Sequence, residues 1–249
     1  MIGVFDSGSG GLTVLRALVS RMPRADFAYF GDIANAPYGE KDTEMLNSLI
    51  RSGMRRLRDA GAVKLVSACN TASAPVLQGL LGHERVIEMT RPLARKARAW
   101  AGRRALLLAT PATVSSQAYQ DALGVILQLE AVAIPGLAGK IEFGAPKQEL
   151  SECVKNALAP YSSTRYDMLI LACTHYPLIK NVFEQVTREI WGTLNIIDPA
   201  DAVAEEVETQ FHEEGRGKIM IQLSKDSTFF RNRFRELFPD KEASITADT

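Results

Sequence analysis

Short apolar runs rich in β-branched and aromatic residues recur along the chain, at 2–5, 27–30, 63–68, 85–88, 105–109, 126–131, 168–172, 195–197 and 218–223. Between them, apolar residues return at helical spacing over 12–22, 44–60, 72–81, 93–101, 114–123, 148–158, 178–190, 202–213 and 229–237. Strands of a few residues alternating with helices of about ten or more predict an α/β fold with largely parallel sheets. The strand runs are continuously apolar, as expected for strands covered on both faces. The polar segment 239–249 is expected to fray.

Several predicted strands run into polar or glycine-rich turns. The first ends in Asp6-Ser7-Gly8-Ser9-Gly10-Gly11, the third in Cys69-Asn70-Thr71, the fifth in Thr110-Pro111-Ala112-Thr113 and the seventh in Cys173-Thr174-His175. Ligands of open parallel sheets bind at such carboxyl ends. Asp6 precedes Cys69 by 63 positions, and Thr110 precedes Cys173 by the same interval. That echo suggests two similar halves, joined near Arg91-Pro92, each giving one cysteine to a shared cleft.

Composition removes several functions. The 249 residues, 46% hydrophobic, suffice for a substantial core. Lys plus Arg and Asp plus Glu are equal at 29 each, so nothing favours nucleic acid or an anionic membrane surface. No apolar run nears the roughly 20 residues of a spanning helix, and no signal-peptide pattern opens the chain, so a cytoplasmic location is expected. The cysteines number three, which argues against a disulfide framework, and none has zinc-ligand spacing. Each is therefore a core filler or a reactive thiol.

Cys69 and Cys173 follow apolar strands and precede small polar residues at predicted helix starts, where a thiol's pKa is expected to fall. A thiolate there can act as base or nucleophile. Cys153 lies mid-helix beside no polar turn and is read as a core residue. His175 is placed to tune Cys173, whereas His83 and His212 read as surface residues. Asp6 either caps the first helix or assists a thiol, and Ser7 shares its turn. The neighbouring glycines match neither dinucleotide nor phosphate motifs but allow close backbone approach. Asp32 and Tyr38 lie in a turn. Glu142 by pattern alone is a solvated helix charge. Arg51, Arg55, Arg56 and Arg58 are spaced for an exposed face.

Taken together, Asp6-Ser7-Gly8-Ser9-Gly10-Gly11-Leu12, Gly31-Asp32 with Pro37-Tyr38-Gly39, Ala68-Cys69-Asn70-Thr71 and Ala172-Cys173-Thr174-His175-Tyr176-Pro177 resemble, in order and spacing, the motifs of glutamate racemases, in the aspartate/glutamate racemase family. The resemblance spans residues 1–198. It implies two similar α/β domains related by a pseudo-twofold axis, 1–92 with 205–249 and 93–204, with the active site in the cleft between them. It implies interconversion of L- and D-glutamate, supplying D-glutamate for peptidoglycan, with no cofactor and no metal, by a homodimer. It assigns Cys69 and Cys173 as the two bases, Asp6 and His175 as their partners, and Asp32 and Glu142 as auxiliary acids. Ser7, Pro37, Tyr38, Gly39, Asn70, Thr71, Thr113 and Thr174 fall at substrate-contacting positions. Ala109, Arg91 and Lys140 depart from the family pattern. Three other readings stand beside this one: a racemase of aspartate or a related acid, a thiol hydrolase using Cys173 and His175, and a non-catalytic amino-acid-binding module.

Overall fold

The computed structural model describes residues 1–82 and 85–248, so His83 lies outside the described residues. The chain begins β1 (Ile2–Asp6), α1 (Leu12–Arg21), β2 (Phe27–Gly31), α2 (Thr43–Asp59), β3 (Lys64–Ser67), α3 (Asn70–Leu77), β4 (Val86–Ile87), α4 (Thr90–Ala97). It continues β5 (Arg104–Ala109), α5 (Pro111–Ser115), α6 (Ala118–Leu123), β6 (Gln128–Ala133), α7 (Leu137–Glu142), α8 (Lys147–Leu158), β7 (Met168–Ala172), α9 (Lys180–Trp191), β8 (Asn195–Ile197). It ends α10 (Ala200–Phe211), β9 (Ile219–Leu223), α11 (Thr228–Leu237), β10 (Ser244–Ala247).

All pairings among the described residues are parallel. One sheet has the order β10-β9-β2-β1-β3-β4 and the other β6-β5-β7-β8. The run β2-β1-β3-β4 and the whole of the second sheet share one winding order. The 63-residue echo has a structural meaning here. In each half the two strands that it links are the adjacent central pair, with Phe5 opposite Ser67 and Ala109 opposite Ala172. Both central pairs deliver their turns at the carboxyl edge.

Local chemistry starts the helices where the pattern places them. The Asp42 side chain accepts from Met45 N at the head of α2, and that of Ser227 from Phe230 N at the head of α11. Thr110 caps α5, with Pro111 at its first position. The largest apolar cluster is continuous across both halves. It joins Ile2, Leu15 and Tyr29 of one with Leu107, Tyr119 and Ile170 of the other, through α1, α4, α6 and α10. Two smaller clusters cover the outer faces, one under α2 and one under α8 and α9. The division points 92/93 and 204/205 fall inside α4 and α10, helices of the shared layer.

Three expectations need correction. The stretch 114–123 is two helices, because Gln117 takes φ 60° and breaks the hydrogen-bond ladder. Residues 137–142, which no predicted helix covers, form α7. Residues 244–248 do not fray: Ser244–Ala247 pairs with β9, and Arg56 clamps Asp248 through two hydrogen bonds of 3.0 and 2.7 Å. Only Ile245 and Ala247 of β10 are half-buried, too weak an alternation to read beforehand. Of the other arginines in that group, Arg51 and Arg55 are exposed as expected, whereas Arg58 is half-buried.

Removing residues 243–249 uncovers the β9 edge and returns Ile245 and Ala247 to water. Unfolding free energy in urea should fall by about 1–2 kcal/mol, with an increased tendency to aggregate through the bared edge. An unchanged denaturation midpoint would show that β10 contributes nothing.

Candidate active site

The carboxyl edges of the two sheets face one another. Ser7, Pro37, Tyr38, Gly39, Cys69, Asn70, Thr71, Cys173, Thr174 and His175, all singled out from sequence, line one cavity of about 10 Å³ together with Thr110 and Ala138. The first half supplies Ser7, Cys69 and Asn70 from the ends of β1 and β3. The second supplies Thr110 and the 173–175 turn from the ends of β5 and β7. Asp6, Asp32, Glu142 and Thr113 are buried behind this lining. Thr113 bonds to Thr71 and Thr110 in a hydroxyl cluster that crosses the seam at 2.9–3.2 Å. Asp32 accepts from the Tyr38 hydroxyl at 2.6 Å and holds that ring in the wall.

The two thiols have different company. Cys69 Sγ lies 3.8 Å from Ser7 Oγ. Burial pushes its pKa up to about 12, the nearby Asp6 carboxylate adds to this, and the Ala72 N–H and Ser7 hydroxyl only partly offset it. The lowered pKa expected for Cys69 at a helix start is therefore not found, because desolvation outweighs the helix terminus. Asp6 is itself raised by burial, against the opposing charge of His175 and N–H bonds from Gly11 and Gly8.

Cys173 instead faces an imidazole, with Sγ 3.9 Å from His175 Nδ1. On its far side His175 Nε2 lies 2.6 Å from Glu142 Oε2. Burial works against the imidazolium, but hydrogen bonds to Cys173 and Glu142 and the Glu142 charge raise its pKa to about 10. Glu142 is 1% exposed, not the solvated charge that its helical pattern suggests. Burial again opposes the charged form, yet His175 and the N–H and hydroxyl of Ser9 hold Glu142 at about 2.

Two glycines of the first turn, Gly8 and Gly10, lie against the second half, while Gly11 packs on Asp6 and Tyr29 of its own half. A Cβ at Gly8 would sit 3.0 Å from the Glu142 carboxylate, and one at Gly10 would sit 2.6 Å from Thr174 Oγ1 and 2.7 Å from His175 Nδ1. Thr174 Oγ1 also donates to Asp6 at 3.2 Å. Tyr119 of α6 donates to Asn70 Oδ1, which leaves Asn70 Nδ2 buried in the lining without a partner among the described residues.

Ser9, Tyr119 and Arg233 belong to this constellation and were not singled out as site residues. Ser9 had a signal in its motif. Tyr119 and Arg233 had none, since each lies on a helix whose pattern records only which face is buried. The departures from the family pattern lie away from the cavity lining. Lys140 pairs with Glu149 of α8, Arg91 is exposed, and the Ala109 carbonyl accepts from Tyr176 at 3.1 Å. Cys153 is half-buried and His212 exposed. Among the described residues no cluster of three or more His, Cys, Asp or Glu is arranged to hold a metal ion, and no helix is long and apolar enough to cross a membrane.

The Glu142–His175 pair makes stability depend on pH. A raised histidine contributes fully below its ordinary 6.5, and that contribution disappears as pH rises through about 10. A depressed glutamate contributes fully above its ordinary 4.5, and that contribution disappears as pH falls through about 2. The pair's stabilisation is thus complete between pH 4.5 and 6.5. Glu142→Gln should cost about 3–5 kcal/mol at pH 6 and flatten the decline between pH 6.5 and 9, as read by urea denaturation. An unchanged pH profile would rule out the ionised pair.

Residues 26–207 match the Asp/Glu/Hydantoin racemase family. The chain is 33% identical to a glutamate racemase of Listeria monocytogenes over 90% of its length and 92% of the relative's. It is also 33% identical to one of Lactobacillus helveticus over 82% of its length and 78% of the relative's. Among solved structures, a glutamate racemase of Bacillus anthracis superposes with a TM-score of 0.88 at 28% identity, covering 100% of this chain and 97% of the other. One of Thermus thermophilus, in complex with β-chloro-D-alanine, superposes with a TM-score of 0.80 at 32% identity, covering 100% and 96%. The chain belongs to the aspartate/glutamate/hydantoin racemase family and is an isomerase.

Proposed function

We propose that this protein is a cofactor-independent glutamate racemase, in which Cys69 and Cys173 act as two bases on opposite faces of the substrate α-carbon. The observation that carries the proposal is the pair of buried thiols, one from each half, at corresponding strand ends on one cavity. Racemisation removes the α-proton on one face and returns a proton on the other. Two bases do this without turning the substrate over. In the arrangement described, Cys69 is held as the thiol and is the proton donor, while Cys173, with His175 beside it, is the base. The roles exchange after each turnover.

The difficulty is the weak acidity of the α-carbon, since each unit of pKa mismatch costs about 1.36 kcal/mol. Oriented donors around the α-carboxylate reduce it. The unpartnered Asn70 Nδ2 and the start of α3 in the cavity wall are suited to that task. The cavity holds about 10 Å³, room for one water at most. An amino acid therefore enters only when the halves part, and they reclose around it, excluding water. We take the moving bodies to be 1–92 with 205–249, and 93–204.

Glutamate is preferred over aspartate because the relatives at 33% identity are named glutamate racemases. Also, one similar structure, from Francisella tularensis, is a complex with D-glutamate. Supply of D-glutamate for peptidoglycan, a cytoplasmic location and a homodimer belong to the same proposal.

Incubating L- and D-glutamate in heavy water without added cofactor, followed by NMR and optical rotation, tests it. α-Deuteration with loss of optical activity from both enantiomers is expected. Exchange of aspartate alone would move the substrate, and exchange of neither would leave a binding module. Cys69→Ser and Cys173→Ser should each lower racemisation at least about 100-fold, and normal turnover by either variant would refute the two-base scheme.

A further inference from the structure

Glu142 ends α7, a helix of only 6 residues. Its carboxylate is held from outside that helix. Ser9, from the turn after β1, gives it an N–H and a hydroxyl. A third group arrives from far along the chain. Arg233 of α11 donates through Nη2 to the Ile141 carbonyl at 2.9 Å. It donates through Nη1 to Ser9 Oγ, and the same nitrogen lies 3.6 Å from Glu142 Oε2. The Arg233 side chain is 14% exposed. Phe229, on the same helix, lies against Gly144 just beyond α7, so α11 is braced on the segment that presents Glu142.

The direction of each hydrogen bond follows from Arg233. A guanidinium only donates. Ser9 Oγ, accepting from Arg233, turns its own proton toward Glu142 Oε2. The carboxylate thus accepts from Ser9, and it must accept from His175 as well. His175 Nε2 therefore carries a proton, and Nδ1 is turned to the Cys173 sulfur. Each bond polarises the next. A lysine could supply the charge but not the planar fork that reaches the Ile141 carbonyl and the Ser9 hydroxyl together.

We propose that Arg233 is a positioning residue for the Cys173 side of the site: it fixes Glu142 and the proton order of Ser9, Glu142 and His175, and through them the imidazole at Cys173. This rests on the two-thiol reading above. It adds that the C-terminal helix, remote in sequence from both thiols, controls one of them and not the other.

The test compares wild type, Arg233→Met and Arg233→Lys by steady-state kinetics and by peptide mass spectrometry after brief iodoacetamide treatment at pH 7. Arg233→Met should lose about 10- to 100-fold in kcat with little change in KM, as a misplaced catalytic group does. Alkylation of Cys173 relative to Cys69 should fall about tenfold, because thiol reactivity follows the local positive charge. Arg233→Lys should recover part of both. If Arg233→Met does not fold, as judged by circular dichroism, Arg233→Lys alone should still show a lowered labelling ratio. A folded Arg233→Met with the wild-type ratio, or equal losses of labelling at both cysteines, would overturn the proposal. Failure of the wild type to exchange the α-proton would instead refute the two-thiol reading itself.

Discussion

A carboxylate and an imidazolium buried 2.6 Å apart at the seam between two half-molecules set the terms for the rest of the site. Removing both from water costs several kcal/mol each, and their mutual attraction repays this only if the remaining polar atoms are satisfied. Partners that satisfy them come from the opposite half. Ser9 belongs to the turn after β1 and Arg233 to α11, while Glu142 and His175 belong to the second half. The pair is therefore complete only when the halves are together. Under the proposed opening of the cleft, closure and the electrostatics beside Cys173 become a single event.

The scaffold is nearly symmetric and the chemistry placed on it is not. Matching strand orders bring each cysteine to an equivalent edge. Cys69 sits with Ser7 and the raised Asp6, whereas Cys173 has a histidine held charged by Glu142. Under the proposed mechanism this difference is an advantage. Two equivalent thiols would have no preferred arrangement of one proton between them. In that reading the unequal surroundings give the thiols different roles in each proton transfer, and the roles exchange as the proton moves.

Closeness of approach explains residues that chemistry alone does not. Gly8 lies tightly against Glu142, and Gly10 approaches Thr174 and His175 so closely that a methyl group there would have to displace them. The continuous apolar layer of α1, α4, α6 and α10 holds the halves at that separation. The contacts that seal the cavity are hydroxyl and carboxylate groups crossing the seam, such as Thr71 with Thr113 and Thr174 with Asp6. An apolar layer on one side and a polar edge on the other suit the proposed opening and closing of the cleft.

The parallel α/β class, the strand-end turns and the cysteine pair were legible in local pattern: apolar runs, capping residues and glycines read within a few positions. The matched interval from Asp6 to Cys69 and from Thr110 to Cys173 even carried the doubling of the fold. Tertiary structure alone decided which groups share a charge. The short apolar–polar pattern around Glu142 gave no sign that the carboxylate turns inward. Nothing in the amphipathic 229–237 stretch pointed Arg233 at Ser9, and the helix-start argument for Cys69 could not include the burial that overrides it. The physical reason is range. Propensity and periodicity act over one or two turns of chain, whereas desolvation and Coulomb energy depend on what a fold brings within a few ångströms from 33 residues away, for His175 and Glu142, to 224, for Arg233 and Ser9.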